Sequence, residues 1–203
     1  MVKQPRLLLA TNNPGKVAEY RRLLADCGWE LVTPAELGLN VQVEETGQSY
    51  AENARIKAEA YAKASGLVTL ADDSGLEVDA LGGRAGPLSA RYAGLGRTDP
   101  ERVQALLQEL AAVPDEQRTA RFRGVIAIAE PAGRVEIAEG TVEGRIAREP
   151  RGENGFGYDP VFLLPERGKT AAELPPEEKN AVSHRGVAAR KAQAILERLL
   201  HET

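Results

Sequence analysis

The sequence has little cysteine, few aromatic residues and no excess of positive charge. Cys27 is the only cysteine among 203 residues, which excludes an intrachain disulfide and a zinc site built from cysteines. Lysine and arginine number 26 against 30 acidic residues, so the formal net charge is −4. Binding to a nucleic-acid backbone depends on clustered Lys and Arg. We therefore expect no nucleic-acid partner.

Long apolar segments are also missing. The apolar run at residues 7–10 is too short for the core of a signal peptide. No stretch approaches the about 20 apolar residues that a membrane-spanning helix needs. We therefore expect a cytoplasmic protein that does not bind membranes. Its length suits a single domain over residues 1–203, with a core that needs neither disulfides nor a structural metal.

The hydrophobic pattern predicts an α/β fold with a mixed β-sheet flanked by helices. Ser49 and Glu52 have the S-x-x-E spacing of a capping box, which predicts the start of a helix. The predicted strands cover residues 6–10, 30–33, 67–71, 119–130, 134–148 and 160–164. The predicted helices cover approximately residues 17–27, 49–65, 100–111 and 183–200.

The segment Thr11-Asn12-Asn13-Pro14-Gly15-Lys16 joins the first predicted strand to the first predicted helix. Such a turn directs backbone N–H groups and the positive end of a helix dipole towards one point. A hydroxyl, two amides and a lysine at that point suit a triphosphate, although the spacing of a Walker A motif is absent. An ordinary strand-to-helix turn, capped by Thr11 or Asn12, accounts for the same residues.

Two acidic pairs, Glu44-Glu45 and Asp72-Asp73, are candidates for metal binding. Mg²⁺ takes one or two carboxylates together with water and substrate phosphates. One carboxylate can also accept a proton from an attacking water. Asp72-Asp73 follows the apolar run at 67–71, so we expect it at a strand end, where α/β sheets bind ligands. Glu44-Glu45, considered alone, is typical of a solvated loop.

The segment Gly155-Phe156-Gly157-Tyr158-Asp159-Pro160 is a candidate for binding a base. An aromatic ring between two glycines can stack on a base, and Asp159 can accept hydrogen bonds from a base edge. The alternative is a loop that Phe156 anchors in the core, with Asp159-Pro160 forming a turn.

A second cationic segment contains Lys179-Asn180 and Ser183-His184-Arg185. With Ser183 as the helix cap, His184 and Arg185 lie in the first turn, where the helix dipole favours acidic residues instead. Their presence indicates an anionic or carbonyl-bearing partner, unless this is simply a solvated helix start. Together the candidate segments favour a Mg²⁺-dependent enzyme that hydrolyses nucleotides.

The same residues resemble a known family over approximately residues 7–200. The motifs are T-N-N-P-G-K, E-E-T-G, E-N-A-x-x-K-A, A-D-D-S-G-L, P-x-S-A-R-Y, G-F-G-Y-D-P and E-K-N-x-x-S-H-R. Their order and spacing are similar to those of the non-canonical purine nucleoside triphosphate pyrophosphatases, the inosine triphosphate pyrophosphatase family. The resemblance implies an elongated mixed sheet, two lobes with a cleft, and a homodimer. It also implies hydrolysis of ITP, dITP or XTP to the monophosphate and pyrophosphate.

The resemblance further implies roles for individual residues. It assigns Mg²⁺ to Glu44 and Asp73, with Asp73 also accepting the proton. It assigns substrate binding to Thr11, Asn12, Asn13, Pro14, Gly15, Lys16, Ser74, Phe156, Gly157, Tyr158, Asp159, Lys179, His184 and Arg185. A donor on His184 or Arg185 would donate a hydrogen bond to the 6-oxo group of hypoxanthine or xanthine, and the 6-amino group of adenine would offer it no acceptor.

Two other functions are compatible with the sequence. One is a sensor that binds a purine nucleotide without cleaving it, although binding alone does not need both Glu44 and Asp73. The other is a pyrophosphatase for pyrimidine or modified nucleotides, which Phe156 and the His184-Arg185 pair disfavour. The roles of Glu52, Asn53 and Lys57 stay open, since Lys57 can reach phosphate or pair with Glu52 or Glu59 on the helix surface.

Overall fold

A computed structural model describes residues 4–82 and 96–202 of the chain. Within these ranges, seven strands form one sheet. They are β1 (Arg6–Leu9), β2 (Glu30–Val32), β3 (Val68–Val78), β4 (Thr119–Ala129), β5 (Val135–Ile146), β6 (Phe162–Leu164) and β7 (Lys169–Thr170). Their order across the sheet is β2-β1-β3-β4-β5-β6-β7.

The sheet is mixed, as predicted. β1 pairs in parallel with β2 and with β3, so that Leu8 lies opposite both Val32 and Thr69. β6 pairs antiparallel with β5 and with β7. A tight turn joins β4 to β5, in which the Glu130 N–H donates to the Arg134 carbonyl at 2.9 Å.

Five α-helices accompany these strands in the described part of the chain. They are α1 (Pro14–Leu23), α2 (Tyr50–Ser65), α3 (Asp99–Glu109), α4 (Pro176–Val182) and α5 (His184–Glu202). The predicted capping box is confirmed, because Ser49 and Glu52 exchange side-chain-to-backbone hydrogen bonds at the start of α2. None of the helices in the described ranges combines the length and the apolar character needed to cross a bilayer.

The chain divides into two compact units. The first consists of Met1–Asp73, Gly124–Gly140 and Arg185–Thr203. Successive residues of a strand point to opposite faces of a sheet. Leu7 and Leu9 accordingly join an apolar cluster with residues of α1 and α5, whereas Leu8 joins a cluster with residues of α2. Helices on both faces explain why β1 is a continuous apolar run.

The second unit consists of Ser74–Arg123 and Thr141–His184. Its core contains Leu76 and Val78 of β3 together with Leu106 of α3. The Arg118 guanidinium is fully buried and donates to three backbone carbonyls, those of Leu110, Ile146 and Ala147, at 2.6, 2.8 and 2.9 Å. Buried polar groups need such partners, since an unpaired one costs about 1–3 kcal/mol.

Several predicted boundaries were wrong. β3 does not end at residue 71 but continues to Val78, because Leu76 and Val78 supply further buried side chains at alternate positions. β6, predicted to begin at Pro160, begins at Phe162, because the Tyr158 carbonyl accepts the Val161 and Phe162 N–H groups in a turn. The predicted helix at 17–27 already ends at Leu23. The P-x-S-A-R-Y motif lies outside the described residues.

Candidate active site

The N-terminus of α1 has the hydrogen-bonding pattern of an anion-binding turn. Asn13, not the expected Thr11 or Asn12, is the cap, and its Oδ1 accepts the Lys16 N–H at 3.1 Å. The Thr11 hydroxyl oxygen accepts the Asn13 N–H at 3.1 Å. Pro14 occupies the first turn, and the Gly15 N–H next to it has no carbonyl partner within the helix. This end of α1 therefore directs a backbone donor and the helix dipole outwards.

Asp72 and Asp73 are neighbours in β3 whose side chains meet different helices. Asp72 lies towards α1 and α5, where it contacts Tyr20 and Arg185. Asp73 lies towards α2, where Oδ1 is 3.3 Å from the Lys57 ammonium. Because a strand directs successive side chains to opposite faces, the two adjacent carboxylates occupy separate environments.

Asp72 is the centre of a buried ion network. Its Oδ1 forms an ion pair with Lys16, and its Oδ2 accepts the Tyr20 hydroxyl at 2.7 Å and the Arg185 Nε at 3.2 Å. Burial alone would raise the pKa of Asp72, but the charges of Lys16 and Arg185 outweigh it and hold the pKa well below its usual range. Asp72 is therefore ionised near neutral pH and unsuited to accept a proton.

Asp73 differs from Asp72 in having a carboxylate oxygen without a partner. Its Oδ2 is buried and makes no hydrogen bond to any residue that the structure describes. Burial raises the pKa of Asp73 above its ordinary value, although Lys57 and Lys16 oppose this shift. A buried oxygen of this kind needs a proton, a water or a cation, which suits both of the roles expected of Asp73.

Lys57 joins Asp73 to the acidic loop that precedes α2. Its ammonium lies 3.1 Å from Glu45 Oε1 and 3.0 Å from the Asp72 carbonyl oxygen. Lys57 thus does not pair along the surface of α2, where Arg55 and Glu59 form the ion pair instead, at 2.8 Å. Its position in the E-N-A-x-x-K-A motif, one turn after Asn53, was the signal in the sequence.

The acidic loop is fastened to the first turn of α2. The Gly47 N–H donates to Asn53 Oδ1 at 2.9 Å, and the Gln48 N–H donates to Glu52 Oε2 at 2.6 Å. A Cβ on Gly47 would lie 2.6 Å from the Glu52 Cβ and 2.7 Å from Asn53 Oδ1, so a larger residue does not fit. Asn53 and Glu52 thereby fix the loop that carries Glu44 and Glu45.

The carboxylates near Lys57 suit a hard divalent cation. The structure brings Glu45 to the same ammonium as Asp73, and both Glu44 and Glu45 are exposed residues of the loop. No cluster of three or more His, Cys, Asp or Glu suited to a metal occurs in the described ranges. Two carboxylates are sufficient for Mg²⁺, since water and substrate phosphates complete its ligands.

In the second unit, Asp159 organises the glycine-rich loop. Its Oδ2 accepts the Phe156 N–H at 2.8 Å and forms a buried ion pair with Lys179. Gly155 has φ +77°, and a Cβ there would lie 2.1 Å from Asp159 Oδ2. The Gly157 N–H donates to Asp99 Oδ2 at 2.7 Å, a contact that the sequence did not indicate. The loop is therefore held in one shape.

The two aromatic residues of this loop have different environments. Tyr158 is buried in the core of the second unit, and burial raises its pKa to about 12. Phe156 is only half-buried, with the Lys179 ammonium 5.1 Å from its ring centroid. Tyr158 thus anchors the loop in the core, whereas Phe156 is the less buried of the two residues.

His184 and Arg185 form the first turn of α5, as predicted. His184 is buried, and its ring stacks on Phe122 at 5.0 Å with an interplanar angle of 20°. The Arg185 guanidinium donates to Glu19 Oε2 at 2.6 Å as well as to Asp72. Glu19, which lies on α1, is thus a second carboxylate partner of Arg185, and no sequence motif had indicated it. Ser74 is half-buried and follows Asp73 in β3.

Comparison with known proteins gives matches over almost the entire chain. A family model described as the Ham1 family matches residues 7–195. The chain is 48% identical over 197 residues to the dITP/XTP pyrophosphatase of Bacillus subtilis, covering 97% of this chain and 100% of that protein. It is 54% identical over 194 residues to the dITP/XTP pyrophosphatase of Desulforamulus reducens, covering 96% of each. The solved structure of a HAM1 protein from Coxiella burnetii superposes with a TM-score of 0.86 at 46% identity, covering 96% of this chain and 99% of that one.

Proposed function

Because this chain belongs to the Ham1 family, we propose that it hydrolyses non-canonical purine nucleoside triphosphates, such as ITP, dITP and XTP, with the help of Mg²⁺. The products are the nucleoside monophosphate and pyrophosphate. The observation that carries the proposal is the buried, unpartnered Oδ2 of Asp73 beside two lysines. Lys16 and Lys57 both approach the Asp72 carbonyl oxygen, at 3.4 and 3.0 Å, so the cations of α1 and α2 converge next to Asp73.

The triphosphate would bind at the N-terminus of α1. The Gly15 N–H, the Lys16 ammonium and the helix dipole all favour an anion there, and Thr11 and Asn12 border the same turn. Lys16 keeps its ion pair with Asp72 while a further N–H of its ammonium donates to phosphate. Asp72 and Arg185 thus position Lys16, and they do not themselves react.

The reaction needs a water to attack the α-phosphorus. The water oxygen bonds to that phosphorus, the bond to the bridging oxygen breaks, and pyrophosphate leaves. Asp73 Oδ2 accepts the proton of the water, a role for which a raised pKa is an advantage. Lys16 and Lys57 offset the negative charge that develops on the leaving group.

Mg²⁺ would be held by Asp73 together with a glutamate of the acidic loop. The family resemblance implies that this glutamate is Glu44. The alternative is Glu45, which contacts Lys57, as Asp73 also does. Bound there with the phosphates, the cation would supply further stabilisation of the developing charge. Asp73 Oδ1 faces the same ammonium as Glu45 and would be its ligand to the cation, which leaves the unpartnered Oδ2 to accept the proton.

The nucleoside would be recognised by the glycine-rich loop and the start of α5. Phe156 would offer its ring for stacking on a purine, while Asp159 and Lys179 fix its loop. A donor from His184 or Arg185 would bind the 6-oxo group that distinguishes hypoxanthine and xanthine from adenine. We further propose a cytoplasmic homodimer, on the strength of the family resemblance.

The substrate proposal is tested by pyrophosphate release from ITP, XTP, ATP and GTP, measured in parallel with Mg²⁺ and with EDTA. We expect rapid, EDTA-sensitive release from ITP and XTP, with ATP and GTP almost inert. Equal rates for ITP and ATP would contradict the proposal that the site recognises the 6-oxo group of the base. Tight binding of ITP with no release would instead favour the nucleotide sensor.

A further inference from the structure

The Lys57 ammonium occupies a position that a divalent cation would also favour. Three oxygen atoms surround it, namely Glu45 Oε1 at 3.1 Å, Asp73 Oδ1 at 3.3 Å and the Asp72 carbonyl oxygen at 3.0 Å. Only 14% of its side chain is exposed. Carboxylate and carbonyl oxygens are the ligands that hard cations take from proteins, so one set of oxygens suits both the ammonium and a metal ion.

We propose that Lys57 competes with the divalent cation for Asp73 and Glu45, and thereby limits cation binding before the nucleotide arrives. The inference rests on the proposed function only in taking Asp73 and Glu45 as cation ligands. An ammonium and a divalent cation repel each other strongly at such distances. The cation therefore binds only as Lys57 turns away from both carboxylates. The Lys57 ammonium then keeps only the Asp72 carbonyl oxygen of its three partners.

The scaffold around Lys57 reinforces the competition. Lys57 lies on α2, and the loop that carries Glu45 is fastened to the first turn of the same helix through Gly47 and Asn53. The backbone of the loop therefore cannot withdraw from Lys57 without breaking that attachment, and only side-chain rotation separates the charges. A triphosphate supplies new anionic partners for the displaced ammonium, so the cation and the nucleotide bind cooperatively.

The test is the affinity of the full-length chain for Mn²⁺ without nucleotide, measured by electron paramagnetic resonance of the free ion. Lys57→Met and Lys57→Gln remove the competing charge, and we expect each to bind Mn²⁺ at least about tenfold more tightly than the wild type. Lys57→Arg keeps the charge and should stay near the wild type. Lys63→Gln, at an exposed position of the same helix, controls for the loss of one distant charge. Unchanged or weaker binding by both neutral variants would overturn the proposal.

A second measurement uses the wild type and needs no variant to fold. The rate at which acetic anhydride modifies Lys57 is followed by peptide mass spectrometry, with and without Mn²⁺. Displacement by the cation should raise the rate at Lys57 and leave the rate at Lys63 unchanged, whereas an unaltered or lower rate at Lys57 contradicts the competition. Neither measurement involves turnover, so a failure of the wild type to hydrolyse ITP would count against the proposed function alone.

Discussion

The two adjacent aspartates of β3 should respond in opposite ways to the same substitution. Asp73→Asn removes the proton acceptor, so we expect kcat to fall about 100- to 10,000-fold, which corresponds to about 3–5 kcal/mol in the activation free energy. At saturating Mg²⁺ the KM for ITP should change little, because the turn at Lys16 that would bind the triphosphate does not depend on Asp73. The free energy of unfolding near neutral pH in EDTA should stay within about 1 kcal/mol of the wild type, since Oδ2 had no hydrogen-bond partner and Lys57 keeps Glu45 and the Asp72 carbonyl oxygen as partners.

Asp72→Asn should instead destabilise the fold by about 3–5 kcal/mol, because it leaves Lys16 and Arg185 without their shared buried carboxylate. The contributions of the two aspartates to stability also change with pH in opposite directions. The pKa of Asp72 is lowered on folding, so its contribution is present above the unfolded value of about 3.9 and is lost as the pH falls below it. The pKa of Asp73 is raised, so wild-type stability relative to Asp73→Asn decreases as the pH rises through the folded value.

Urea unfolding followed by circular dichroism, repeated from acid to neutral pH in EDTA, measures both effects. Steady-state kinetics of pyrophosphate release from ITP supplies kcat and KM for the same proteins. Equal destabilisation by the two substitutions, or near-normal turnover of Asp73→Asn, would refute the division of roles between the two carboxylates.

Other substitutions test the remaining parts of the site. Phe156→Ala should raise the KM for ITP about tenfold through the lost stacking, and an unaltered KM would return Phe156 to a packing role. Arg185→Lys keeps the charge but loses the planar fork, and should lower the ITP-to-ATP preference in kcat/KM about tenfold; an unchanged preference would make Arg185 a general anchor. Gly155→Ala should lower the melting temperature, because the loop has positive φ and no room for a Cβ, and a wild-type melting curve would contradict that geometry. Glu45→Gln should weaken Mn²⁺ binding more than Glu44→Gln in a titration without nucleotide, and the reverse order would identify Glu44 as the ligand.

Features set by local sequence could be predicted well. The capping box at Ser49 depends on residues within one turn and is confirmed. The start of α5 at His184 follows similarly from short-range signals. The cap of α1 is Asn13 rather than Thr11 or Asn12, because several polar residues compete for that role and their contacts decide among them.

Features set by distant partners could not be predicted. The end of β3 depends on neighbouring strands and on the core that buries Leu76 and Val78, so the apolar run that ends at residue 71 was misleading. α4 has only seven residues, too few for a clear hydrophobic period. The inward position of Lys57 requires Glu45 and Asp73 to meet beside α2, which depends on how the helix packs on the sheet rather than on spacing along the chain.

The proposed reaction depends on which phosphorus atom the water attacks, and isotope labelling measures this directly. ITP is hydrolysed in oxygen-18-labelled water with Mg²⁺, and the monophosphate and pyrophosphate are separated and analysed by mass spectrometry. Attack on the α-phosphorus predicts one labelled oxygen in inosine monophosphate and none in pyrophosphate. Label in pyrophosphate, or release of orthophosphate in place of pyrophosphate, would contradict the proposed reaction.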